Sequence, residues 1–470
     1  MAIVSTNDII KSPKSTTFRR LFMKRRVLST GLFEADWQDI TVDVKKWGKV
    51  KRSVDSMRLN KFYFGNMKIR LANDTGKYNS QDEQSSLWFG YANQQRTLIK
   101  VEAGLLQQTL SASGVWQTFE HPQSSQWDEI LADDRWDQGT WDSPSTVSYI
   151  GIVSGDQEIS DNNEITLNIR PLNQVFRDIS ARNITGYDDS MTASKFMGLL
   201  RDQTDSSGNF LVRPFFDNDI TKFLISTTTI IYPQIDTGTA NEVREKNCWD
   251  CIEKFAEAEN YISYVNKSGD FIFKAKSDIT ATVAYEFHGV GSGNVPFGAT
   301  IKKIDSYSQK VSKLYTRVEL QHHPTDSLTS FSVAQSRMIV SNGNASWNFG
   351  ERTLKIDNSW VATATADSLA TAIFNEVSTL RKEISFTTSF VPQVDIFDRV
   401  SITYDSGNFS QDSLWDIRNW GDDTLPIAST ELVWDASTGD ALYLNAKEFI
   451  LISVEMDLDN FESRFTARES

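Results

Sequence analysis

Acidic pairs at Asp133 and Asp134, and again at Asp422 and Asp423, lie among tryptophans. That is the composition a glycosidase uses, two carboxylates facing a sugar with aromatic platforms beside it. No spacing constraint selects one acid from the 62 Asp and Glu residues, so no catalytic residue is assigned. Binding or hydrolysis of a glycan stays as an alternative reading of these loops. Cys248 and Cys251 have the spacing of half a zinc or redox motif, but they are the chain's only cysteines, and it has four histidines. Both thiols share one face of an amphipathic helix, so core packing is expected, with no metal site and no cofactor. His322 and His323 are neighbours in a strand and point to opposite faces, which keeps them from sharing one ion. Gly291-Ser292-Gly293 lacks the Lys-Ser or Lys-Thr of a phosphate loop and reads as a turn.

The elements around these residues are legible from periodicity. Ala366, Leu369, Ala370, Ile373, Phe374, Val377 and Leu380 recur at three- and four-residue steps, which predicts a helix over 367–381 with one buried stripe. Strand-like alternation follows at Ile384–Val391, then an acidic turn leads into Val400–Tyr404, so the helix is expected to cross one end of a β-barrel. Asn247 caps a second helix, and Tyr261–Lys274 forms a hairpin about Lys267-Ser268-Gly269-Asp270. Short alternating segments between residues 40 and 172 make a first small barrel. The expected organisation is α+β, mainly β: a basic arm at 1–26, a first barrel at 27–175 with an insertion at 105–147, a middle α/β region at 176–300, and a second barrel at 301–470 with an insertion at 404–446.

Hydrophobic residues make up 39% of the 470, enough for real cores. No run reaches the roughly 18 apolar residues of a membrane helix, and charges precede any apolar block, so a soluble chain without a signal peptide is expected. Charge is uneven. Residues 1–70 hold 16 Lys or Arg against 6 Asp or Glu, while the whole chain carries −14. Arg19, Arg20, Lys24, Arg25 and Arg26 are therefore expected to contact an acidic neighbouring subunit; binding of nucleic-acid phosphates is disfavoured, because the rest of the chain repels a polyanion. The two insertions are acidic and share Trp-Asp pairs, which suggests corresponding positions in duplicated barrels. Their tryptophans Trp127, Trp136, Trp141, Trp415, Trp420 and Trp434 are the candidate subunit contacts, tryptophan being enriched at contact cores.

Three stretches occur in a familiar order: Leu71–Tyr78 with the strand Leu98–Gly104 and Tyr149–Asp156; the helix from Cys248 with its Gly-Asp hairpin; and Val391–Val400. The pattern resembles the baseplate hub proteins of bacteriophage tails. That resemblance implies two related tube-like barrels flanking an α/β region, a homotrimer, and a place at the tail tip of the virion. It further implies contact with a hexameric tail tube or distal tail protein on one side and a threefold spike or central fibre on the other, with DNA passing unbound. A structural and non-enzymatic role is then expected, a hexameric distal tail adaptor being another alternative.

Overall fold

Strict alternation of apolar and charged residues dictates the first sheet. Met67, Ile69 and Leu71 are buried while Lys68 and Arg70 between them are exposed, and Ile165, Leu167 and Ile169 repeat the pattern on the partner strand. The computed structural model describes residues 15–27, 29–79, 84, 86–88, 91, 96–107, 146–154, 158–159, 163–187, 191–206, 208–232, 246–279, 282–289, 300–322, 336–341, 350–358, 360–361, 363–405 and 442–469. Ten strands open the chain: β1 (Ser15–Lys24), β2 (Gln38–Asp39), β3 (Val44–Lys46), β4 (Lys49–Val54), β5 (Phe62–Phe64), β6 (Met67–Ala72), β7 (Leu98–Gln107), β8 (Thr146–Val153), β9 (Glu158–Ile159) and β10 (Glu164–Pro171). All but β4 and β5 join one curled, open sheet in the order β2-β1-β7-β8-β10-β6-β3, with β9 on β10. Gly151 is required where β8 meets β10, because a Cβ there would sit 2.4 Å from the Arg170 carbonyl oxygen.

Residues 15–24, assigned to an arm from sequence, form β1 and pair along their whole length with β7, from Ser15 opposite Gln107 to Lys24 opposite Leu98. The charged residues mask an inward face on which Leu21 and Met23 are fully buried. Backbone pairing to a strand some 80 residues away leaves no local turn signal.

The middle of the chain supplies α1 (Asn173–Arg177), α2 (Ala193–Asp202), β11 (Phe223–Ile225), α3 (Cys248–Glu259), β12 (Tyr261–Val265) and β13 (Phe271–Ala275). Asn247 caps α3, its side-chain oxygen accepting from the Asp250 N–H at 2.9 Å, and Asn260 ends it in the left-handed region at φ +56°. Cys248 and Cys251 are buried and free, as expected of packing residues, and burial pushes the Cys251 thiol up to about 12. Next come β14 (Val283–Gly289), β15 (Thr300–Gln309), β16 (Arg317–His322), β17 (Ser336–Ser341), β18 (Thr353–Asp357) and α4 (Thr363–Val377). The apolar stripe of α4 is buried as its spacing requires: Ala366, Ala370 and Ile373 are fully enclosed, and Leu369, Phe374 and Val377 nearly so. Its bounds and its place differ from the expectation of 367–381: the helix starts and ends four residues earlier, so Leu380 lies beyond it. Instead of crossing a barrel end, α4 packs on the β17-β16-β18 sheet and shares a core with α3, where Phe255 meets Trp360 with ring centroids 4.8 Å apart. Helical period fixes which face is buried but not which partner covers it.

The last strands are β19 (Lys382–Ser389), β20 (Arg399–Asp405), β21 (Tyr443–Asp457) and β22 (Glu462–Glu469). They close a six-stranded barrel, β20-β14-β15-β19-β22-β21, sealed by pairing of β21 with β20. Phe287, Phe386 and Phe465 fill it, with centroid separations of 5.0, 5.1 and 5.5 Å. The barrel draws on more than residues 301–470. β14 comes from the stretch assigned to the middle region, and β4 with β5 extends the sheet by pairing along the second half of β21, from Ser453 opposite Ser53 to Asp457 opposite Lys49. Buried residues of the open sheet and of the closed barrel consequently form one continuous core.

Candidate functional site

Where the open sheet, the middle region and the closed barrel meet, four ionisable side chains are drawn together. The segment Val391–Val400 builds one wall. Asp395 donates its N–H to Asp398 Oδ2 at 2.7 Å, and Phe397 adopts φ +69° with its N–H on the Leu451 carbonyl at 2.8 Å. The Phe397 ring is thereby turned against Tyr264 of β12 and Phe62 of β5, at 5.2 and 5.6 Å, and those two rings stack at 4.8 Å. A non-glycine residue in the left-handed region costs energy, and this enclosed aromatic contact holds it there.

Arg52 enters from β4. The alternation that buries Val50 and Val54 points Arg52 inward between them, where it is 1% exposed. Its Nε lies 3.3 Å from Asp395 Oδ1, and its Nη1 donates to the Ser148 carbonyl of β8 at 3.3 Å. The hairpin between β12 and β13 closes the group. The Lys267 backbone N–H donates to Asp395 Oδ2 at 3.0 Å, and its ammonium donates to the carbonyls of Pro392, at 3.0 Å, and Gln393. Asp395 thus receives a guanidinium from the N-terminal part of the chain and an amide from the middle region while sitting on the barrel. A buried charge is tolerable when paired and hydrogen-bonded, and here the Asp395 carboxylate is satisfied more fully than Arg52, whose Nε and Nη2 have no hydrogen-bond acceptor.

Burial dominates the titration of this cluster. It pushes the Asp398 carboxyl up to about 6, with the Asp395 charge adding to the rise, and it pulls the Lys267 ammonium down to about 8 against the pull of Asp395. The adjoining cavity, lined by Arg52, Tyr149, Lys267 and their neighbours, holds about 10 Å3, roughly one water. The arrangement therefore suits a clamp between three parts of one chain rather than a substrate pocket. Among the described residues no group of three or more His, Cys, Asp or Glu gathers in a way that could hold a metal ion.

A second polar contact joins α4 to the barrel. Arg468 of β22 donates to the carbonyls of Ser56 and Met57 at 2.6 and 2.9 Å and lies 3.4 Å from Glu376, which also takes Lys276 at 2.9 Å. Arg58 pairs with Glu257 of α3 at 2.8 Å.

The basic residues chosen from sequence have partners within their own chain. Arg19 lies over the rings of Trp47 and Phe461 at 5.1 and 4.7 Å and donates to the Leu458 carbonyl. Arg25 grips Glu34 through its Nε at 3.0 Å and stacks over Tyr91 at 3.9 Å. Arg26 donates to the Gly31 carbonyl, and Arg20 lies 5.9 Å from the Phe18 ring. Trp127, Trp136, Trp141, Trp415, Trp420 and Trp434 fall outside the described residues, as do His323, the 291–293 turn and the two Asp pairs. Sequence reasoning singled out Val391–Val400 but missed its partners Arg52 and Lys267. An arginine on the apolar phase of an alternating strand was the available signal for the first.

No family model matches this chain. No curated protein matches it either. Among solved structures it is similar to the 43 kDa tail protein of prophage MuSo2 from Shewanella oneidensis, with 12% identity over 96% of this chain and 98% of that one and a TM-score of 0.45. Prophage tail protein gp18 from Listeria monocytogenes EGD-e is similar at 8% identity over 96% and 94% of the two chains, with a TM-score of 0.44. A chain of the Francisella PdpA-VgrG complex is similar at 11% identity over 96% of this chain and 52% of that one, with a TM-score of 0.39.

Proposed function

We propose that this chain is a structural component of a bacteriophage tail or baseplate, and within it the hub. In this reading three copies form a ring, the barrels face a hexameric tail tube or distal tail protein, and the threefold end receives a spike or central fibre while DNA passes through without specific binding. The observation that carries the reading is the pair of barrel-like sheets in one chain, tied by the buried Arg52, Asp395 and Lys267 contacts. Two such units per chain let three chains supply six positions, which converts threefold into sixfold geometry. Further support comes from the three hub-like sequence stretches, since the Lys267 hairpin and the Val391–Val400 turn of two of them meet at this junction. The role is mechanical and non-enzymatic, and the tryptophans of the two insertions occupy equivalent subunit contacts around the ring.

Native mass measurement of the purified chain, followed by image class averages, tests this. Three copies in a ring are expected. Six copies in a ring indicate a distal tail adaptor, and a monomer that cleaves saccharide indicates a glycan hydrolase; either outcome removes the hub assignment.

A further inference from the structure

Beside the ion pairs that tie α4 to the closed barrel lies a cleft with about 20 Å3 of free space, walled by Lys310, Lys313, Arg381, Arg468, Glu376 and Glu383. A single ordered water needs roughly 10 to 15 Å3, so the enclosed space holds one or two such groups. Lys313 is neutralised by Glu383 at 2.6 Å, while Arg468 and Lys276 share Glu376 at 3.4 and 2.9 Å. Asp55 is a further carboxylate whose charge acts on Arg468. Five cations, counting Lys276, therefore face three carboxylates, a local excess of two positive charges in a chain whose net charge is −14.

Two donors are left over. Arg381 Nη1 and Arg468 Nε are shielded from solvent without a hydrogen-bond acceptor, and the Arg468 side chain is 6% exposed. Buried guanidinium N–H groups without acceptors are costly, and the structure offers two at one cleft. The carbonyl end of α4 close by contributes only about half a negative charge, too little to balance the excess.

We propose that this cleft binds one small inorganic oxyanion, phosphate or sulfate, held by the guanidinium groups of Arg381 and Arg468 with the Lys310 ammonium on the open side. Planar guanidinium donors match the oxygens of such an ion, and its charge removes the local excess. Arg468 is held down to about 10, first by burial and next by the charge of Arg381, a repulsion that a bound anion relieves. The ion also joins the turn after β4, at Ser56 and Met57, to the end of α4 and to β22. It thereby strengthens the contact between α4 and the closed barrel.

Titration calorimetry of the full chain with inorganic phosphate, and separately with sulfate, at pH 7 and low chloride tests the site. One ion per chain is expected, with affinity lowered about tenfold or more in R381Q or K310Q and unchanged in K303Q, a surface lysine paired with Asp305. Circular dichroism of each variant separates loss of binding from loss of fold, and K310Q keeps the test valid if R381Q misfolds. Absence of binding to the parent chain overturns the proposal, as does unchanged affinity in the folded variants or equal weakening in K303Q.

Discussion

Asp398 shows how a single buried carboxylate sets the pH response of the junction. Its folded value of about 6 lies above the roughly 3.9 of an unfolded aspartate, so the fold binds that proton more tightly. The resulting stability is fully present below about pH 4 and is lost as pH rises through about 6. Lys267 runs the opposite way. Its value of about 8 lies below the ordinary 10.4, so its contribution is present above about pH 10 and is lost as pH falls through 8. Between 6 and 8 both groups are charged and the junction is at its weakest. D398N keeps an acceptor for the Asp395 N–H and removes the titration. Relative to the parent, it should gain on the order of 2 kcal/mol between pH 4.5 and 7.5, read by urea denaturation at each pH. Parallel pH profiles for the two proteins would remove Asp398 from the account.

Among the elements, α4 is the clearest test of packing. Ile373 is fully buried on the face it turns to β16 and to the core shared with α3, so I373A should cost roughly 2 to 5 kcal/mol. F374A, at a residue 9% exposed, falls in the range of about 3 to 5 kcal/mol. Denaturant midpoints measure both, and a loss under about 1 kcal/mol in each would mean that the stripe is not held as described. Both helices α3 and α4 were legible in the sequence, because a 3.6-residue period and an Asn cap are local signals. The hairpin of β12 and β13 was legible for the same reason, with Gly269 at φ +83° in its turn. What the sequence hid is non-local. Nothing near Lys49–Val54 announces a partner at Ser453–Asp457, and nothing near Val283 announces parallel pairing with Arg399. The polar members of the junction were hidden likewise, since Arg52, Lys267 and Asp395 come together only after three separate units dock.

At the scale of the molecule, the N-terminal segment is part of the architecture. Removing residues 1–26 takes away β1, which covers β7 from Leu98 to Gln107 and also carries β2. The truncated protein should therefore lose the open sheet and aggregate through the bared edge of β7, instead of folding normally and failing only in assembly. Size-exclusion chromatography with a thermal melt distinguishes the two outcomes, and a monodisperse chain with an unchanged melt would refute the expectation.

Shared use of β21 also sets a timetable for synthesis. β4 and β5 leave the ribosome early, yet the edge they pair with, Ser453–Asp457, is made about 400 residues later. At 5 to 20 residues per second that is a wait of roughly 20 to 80 s. Throughout it the hairpin has an unpaired edge, and until residue 395 is made Arg52 also lacks Asp395. The β4–β5 hairpin is thus the part of the nascent chain most dependent on chaperones, and a ribosome stalled anywhere before residue 453 leaves that hairpin without the strand it pairs with.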